Sequence, residues 1–160
     1  MNAPLGQKGF TLIELVMTLV ILGILSATFS PKFFQLSTYQ QRVFFDDTLA
    51  AIRYAQKLAV ATGCNVQVSI ASNIFSLKRP GAADRSQCAS TTSANFTQNV
   101  VHPGSGDSQY SGSMSGVTLT TATFYFTALG MASSGLDITV GSANKISIIQ
   151  DTGFVYDSTP

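Results

Sequence analysis

Charge is what this chain has least of. Acidic and basic residues make up 11% of its 160 residues, against about 25% in ordinary soluble proteins. Nine Lys and Arg oppose eight Asp and Glu, so the balance offers no steering of nucleic acid. Histidine is nearly missing too. The one imidazole, His102, stands beside Pro103. Without a cluster of acids around it there is no Ser-His-Asp set to assemble and too few ligands for zinc. The two cysteines, Cys64 and Cys88, are spaced too widely for a CxxC metal or redox motif. Gly104-Ser105-Gly106 lacks the Gly-Lys-Ser/Thr ending of a phosphate-binding loop. Asp46-Asp47 reads as the solvated face of a helix, and Asn95-Phe96-Thr97 fits only the short, frequent N-glycosylation tripeptide. The expectation is a protein that is not an enzyme and has no cofactor or metal.

What the chain does have is one long apolar run. From Phe10 to Phe29 the only charged side chain is Glu14. About 20 apolar residues at ~1.5 Å each match the ~30 Å hydrocarbon layer of a bilayer. A secretory signal peptide would end in small residues at a cleavage site. Ser26-Ala27-Thr28 could serve, but Pro31 and a long helical pattern follow directly. Neither a signal peptide nor a plain anchor explains an acid inside the run, which costs ~2.5–3.5 kcal/mol at the centre of a membrane helix. After Glu14 no basic side chain occurs before Lys32. The nearest conceivable cation is an α-amine, and it exists only if the chain is cut before Phe10.

Beyond the run the pattern turns amphipathic. Phe45, Leu49, Ile52, Ala55 and Ala59 follow one helix face, with Gly63 as a natural stop. A helix from about Phe10 to Thr62 would be roughly 80 Å long if continuous. Gly23 and Pro31 are its weak points, because glycine costs ~1 kcal/mol relative to alanine and proline removes a backbone hydrogen bond. Short alternating strands follow: Val66 to Ile70, a turn at Ser72-Asn73, then Ile74 to Lys78. Further candidates are Phe96 to His102, Val117 to Thr120, Thr123 to Thr127, Leu136 to Val140, Lys145 to Gln150 and Phe154 to Tyr156, with a loop over 103–116. The fold class is α+β: a long N-terminal helix, hydrophobic in its first half, packed on a mostly antiparallel sheet. The segments are a leader at 1–9, an apolar helix at 10–30, its amphipathic continuation at 31–63 and a β-rich domain at 64–160.

Lys8-Gly9-Phe10-Thr11-Leu12-Ile13-Glu14-Leu15-Val16 resembles the class III signal of type IV pilins and pseudopilins. The resemblance implies the pilin fold, cleavage between Gly9 and Phe10 by a prepilin peptidase, N-methylation of Phe10 and use of Glu14 in assembly. It also implies partners: other pilins through the N-terminal helix, and an inner-membrane assembly platform. Pilins of this pattern are thought to lose helix between the Gly23 and Pro31 positions when they enter a filament. Removal of residues 1–9 leaves eight basic and eight acidic side chains. Lys8 and the amino terminus favour a cytoplasmic start, weakly opposed by Lys32. Single-pass insertion in the bacterial inner membrane would leave the C-terminal domain in the periplasm before it joins a pilus or pseudopilus. On that oxidising side Cys64 and Cys88 can pair, the alternative being two unrelated buried thiols.

A subfamily resemblance rests on other residues. Asp46 to Ala55, Phe124-Tyr125-Phe126, Leu129-Gly130, Leu136 to Val140, Lys145 to Ile149 and Thr152 to Val155 are similar to the GspH/FimT family, and within it to minor pilins of mannose-sensitive haemagglutinin (MSHA) pili. This implies a minor pilin that helps initiate or complete a pilus, or a minor pseudopilin of type II secretion. DNA-binding members carry Gly-Arg-x-Arg near the C terminus. Here the stretch is Gly153-Phe154-Val155-Tyr156. Aromatic residues at both arginine positions argue against nucleic acid as a partner, and two aromatics in a strand read as core.

Overall fold

The computed structural model describes residues 9–29, 36–81 and 85–160. The chain divides into two compact units, Met1–Leu36 and Ser37–Pro160. In the first, helix α1 spans Leu12–Phe29 and passes through Gly23 without a break. It starts two residues later than the apolar run, because Thr11 caps it. The N–H of Glu14 meets Thr11 Oγ1 at 3.3 Å and the Thr11 carbonyl at 3.1 Å. Thr11-Leu12-Ile13-Glu14 is a capping-box sequence. Most of the leader, Pro31 and the passage from the first helix to the second lie outside the described residues.

The second unit begins with α2, Leu36–Thr62, and Gly63 ends it at φ +66°. The expected stripe of Phe45, Leu49, Ile52, Ala55 and Ala59 is buried, and Phe44 and Ala51 widen it. These side chains form one core with Val66, Val68, Ile70, Phe75, Leu77, Phe124, Phe126, Ile138, Val140, Ile146 and Ile148. Each large apolar side chain so buried is worth about 1.5–3 kcal/mol.

Strand β1, Val66–Ala71, pairs antiparallel with β2, Ile74–Arg79, closing at Ala71↔Ile74. Ser72 and Asn73 both have positive φ, 51° and 62°, the type I′ geometry that matches strand twist. The side of β2 away from β1 is shared by β3, Gln98–Asn99, and β4, Ser111–Ser113. Beside β1 on its other edge runs β5, Ala122–Phe126. Strands β6 (Leu136–Val140), β7 (Asn144–Ile148) and β8 (Val155–Asp157) form a second antiparallel sheet in that order. The expected single sheet is therefore two. Val117 to Thr120 contributes only a bridge, Leu119 to Val140, because the Leu119 N–H is taken by Asn73 Oδ1 at 3.0 Å. Cys64 and Cys88 are joined, closing a 24-residue separation. The Asn65 N–H donates to the Cys88 carbonyl at 2.7 Å beside that link. At the chain end, the Ser158 N–H donates to the Lys145 carbonyl at 2.8 Å, and Thr159 Oγ1 accepts the Lys145 N–H at 3.0 Å.

Candidate functional site

The residues singled out in the sequence gather at the start of α1. Gly9, Phe10 and Thr11 precede the helix and are exposed. Glu14 is the third helical residue, so its carboxylate lies where four backbone N–H groups have no helical acceptor. An acid in this first turn is stabilised by the helix dipole by about 0.3–1 kcal/mol. Part of the penalty expected for Glu14 is thus offset within its own helix, a contribution that the Thr-x-x-Glu spacing already encodes.

The rest of α1 is apolar on every side. Leu12, Ile13, Leu15, Leu19, Leu22 and Ile24 are all exposed. A helix apolar all round is stable only when something covers it. Two of its hydroxyls turn back on the helix: Thr18 Oγ1 donates to the Leu15 carbonyl and Ser26 Oγ to the Leu22 carbonyl, each at 2.8 Å. A Cβ at Gly23 would meet nothing within 4 Å, so no neighbour in the described chain requires glycine there. With 18 residues α1 extends about 27 Å. Among the described residues no helix is long and apolar enough to cross a membrane.

Elsewhere the candidates separate. His102 Nδ1 accepts the N–H groups of Gly104 and Ser105, both at 3.0 Å, and the ring lies 4.2 Å from that of Tyr110. It organises a loop. Asp46 is solvated and pairs with Arg42 at 3.4 Å. Asp47 is less simple than a solvated face. Partial burial raises its carboxyl above the ordinary value, and nearby His102 partly opposes that. Their adjacency has no local signal, since 55 residues separate them. A depression of about 510 Å³ beside the disulfide is lined by Leu58, Arg79, Arg85 and Gln98, with no carboxylate among its described walls. Phe154 and Tyr156 correct the core reading. They are 57% and 36% exposed, with rings 5.7 Å apart at 18°. Strand alternation turns Val155 inward instead.

The capped, all-apolar helix with an acid in its first turn, entered through Gly9-Phe10, is the part of the chain in which a likeness to a known family falls. The family model described as the prokaryotic N-terminal methylation motif matches residues 5–30. The chain is 46% identical over 52 residues to the type IV narrow pilus major component PilA5 of Thermus thermophilus, which covers 32% of this chain and 45% of that protein. The chain thus spans less than half the length of this curated relative. No solved structure matches it.

Proposed function

We propose that the chain is a pilin subunit, inserted through α1 into the inner membrane and then into a type IV pilus, where as a minor component it helps to initiate or complete assembly. The observation that carries this is Glu14 in the first turn of an exposed apolar helix, four residues after Phe10. Prepilin peptidase cuts between Gly9 and Phe10, and the new Phe10 amine is N-methylated. That amine is largely protonated near neutral pH. At ~4 Å and an effective dielectric of 20 its attraction to a carboxylate is ~4 kcal/mol before desolvation. A neighbouring subunit displaced along the helix axis brings its amine to Glu14, so the pair sets the step between subunits while α1 side chains supply the packing. The match to a pilus component supports a pilus over a type II secretion pseudopilus. The GspH/FimT and MSHA-like assignment rests on the C-terminal resemblance.

Two variants test this. Gly9→Val is expected to block processing, seen as no size shift on a gel. Glu14→Gln is expected to be processed normally, yet to be missing from sheared fibres that contain the wild-type subunit. Wild-type incorporation of Glu14→Gln would overturn the reading. The exposed Phe154-Tyr156 stack favours one second reading, display of a stacking surface for single-stranded nucleic acid. It requires a salt-dependent shift of DNA by the purified protein, which the even charge balance opposes.

A further inference from the structure

The loop that His102 organises is built around one lone pair. It is the excursion between β3 and β4, and both of its ends are tied to Leu77 of β2. The Val100 N–H donates to the Leu77 carbonyl at 3.1 Å, and the Leu77 N–H donates to the Tyr110 carbonyl at 3.0 Å. Between these ties the chain turns tightly. The His102 N–H donates to the Asp107 carbonyl at 2.9 Å, the Gly106 N–H donates to the His102 carbonyl at 3.0 Å, and Gly106 has φ +76°. At the tip, the N–H groups of Gly104 and Ser105 both end on His102 Nδ1.

Those two bonds fix the state of the ring. Nδ1 accepts them only while it is unprotonated, so the imidazole is neutral and carries its proton on Nε2. In an imidazolium both nitrogens are donors. A proton on Nδ1 would face two N–H groups at hydrogen-bonding distance, and the tip could not stay in place. Imidazole is also the side chain that changes charge near physiological pH. The titratable groups around it are Asp47 and Tyr54 of α2, Tyr110 and Asp107. Tyr110 is buried, with its ring 4.2 Å from that of His102 and 5.6 Å from that of Tyr54, so one side of the imidazole is a fixed wall. The Asp107 carboxylate is engaged by Ser105 Oγ. Asp47 has no hydrogen bond or ion pair among the described residues, and its charge interacts with that of His102. It is the acceptor left over.

We propose that His102 is an acid-operated latch: as a neutral ring it holds Gly104 and Ser105, and on taking up a proton it releases them and turns to the Asp47 carboxylate on α2. The released loop binds the proton more tightly than the latched one, so latching is favoured at higher pH and is lost as pH falls. The freed stretch is short, because Val100 and Tyr110 keep their bonds to Leu77. Without the latch, Gly104-Ser105-Gly106 has little to hold it in one conformation. A fixed projection from the edge of the first sheet thus becomes a mobile one. The device lies within the second unit and stands apart from α1 and from the pilin reading.

The test is 15N relaxation of the full chain in detergent micelles, at about pH 7.5 and about pH 5, on either side of the ordinary imidazole range. The order parameters of Gly104 and Ser105 are expected to fall from about 0.85 to below about 0.6 as the His102 ring signals report protonation, with Leu77 and Tyr110 unchanged. Unchanged order at the tip beside a protonated ring overturns the proposal, and so does a ring that stays neutral at the lower pH. His102→Asn keeps a side-chain acceptor that does not titrate. It is expected to leave the tip ordered at both pH values, and His102→Ala to leave it mobile at both. A tip that still loosens in acid in His102→Asn, or that stays rigid in His102→Ala, also overturns it. Asp47→Asn is expected to lower the pH at which the ring protonates, and an unmoved titration overturns the exchange of partners.

Discussion

At the residue scale, two positions that constrain the second unit are Gln56 and Gly153. Gln56 ties the loops at Gly130 and Thr152 together through a single amide. Gly153 adopts φ +62°, and a Cβ there would fall on the Gly130 carbonyl. Backbone cannot yield as a flexible side chain does. Gly153→Ala is therefore expected to destabilise by at least about 3 kcal/mol, combining left-handed strain with overpacking. Gln56→Ala is expected to cost about 1–2 kcal/mol, since it orphans two carbonyls that water can partly reach. Urea melts of the two variants measure both, and a Gly153→Ala loss below that of Gln56→Ala would contradict the steric account. Neither role is legible in the sequence. Gln56 and Gly153 are 97 residues apart, and a Gln on a helix followed much later by a Thr-Gly turn carries no local signal.

At the scale of elements, what could be read was what repeats. The β1–β2 hairpin follows from alternation on either side of Ser72-Asn73, and Leu136–Val140 is found where its pattern places it. The core stripe of α2 follows from its 3.6-residue rhythm. Strand β4 could not be read, because Ser111-Gly112-Ser113 has loop composition. It exists through pairing with β2, and Gly112 belongs there because a Cβ would strike the Phe75 ring at 2.6 Å. The start of α1 was legible in principle from Thr11-Leu12-Ile13-Glu14, though the longer apolar run masked it. The disulfide completes the same layer of structure: it ties the end of α2 to the segment after β2. For a closed loop of about 24 residues the chain-entropy contribution is about 3 kcal/mol. A Cys64→Ser, Cys88→Ser double variant is expected to lose about that much, read as a lower urea midpoint with a steeper slope, since the unlinked unfolded chain exposes more surface. An unchanged midpoint would show that the link adds nothing to stability.

At the scale of the whole molecule, the even charge balance leaves pH dependence to a few sites. The bond from Lys145, and then the bond from Ser147, hold the Asp137 carboxyl below its ordinary value. Thr159, followed by Arg42, does the same for Asp157. A carboxyl depressed by folding contributes stability above its unfolded pKa, near 4, and that contribution is lost as pH falls through the lower folded value. Asp47 has the opposite sign, since partial burial raises it and its ionised form is mildly unfavourable at neutral pH. The second unit is expected to lose stability as pH falls below about 4, and Asp137→Asn to flatten that slope. Melts across this range check it; a slope unaltered by Asp137→Asn would remove Asp137 from the account. The segment after β8 bears on local opening as well. Lys145 in β7 is stitched to Ser158 and Thr159, so bonds beyond β8 fasten that short strand in place. Those bonds must break before β8 can leave the second sheet, and its amides therefore exchange with solvent more slowly than those of a fraying edge.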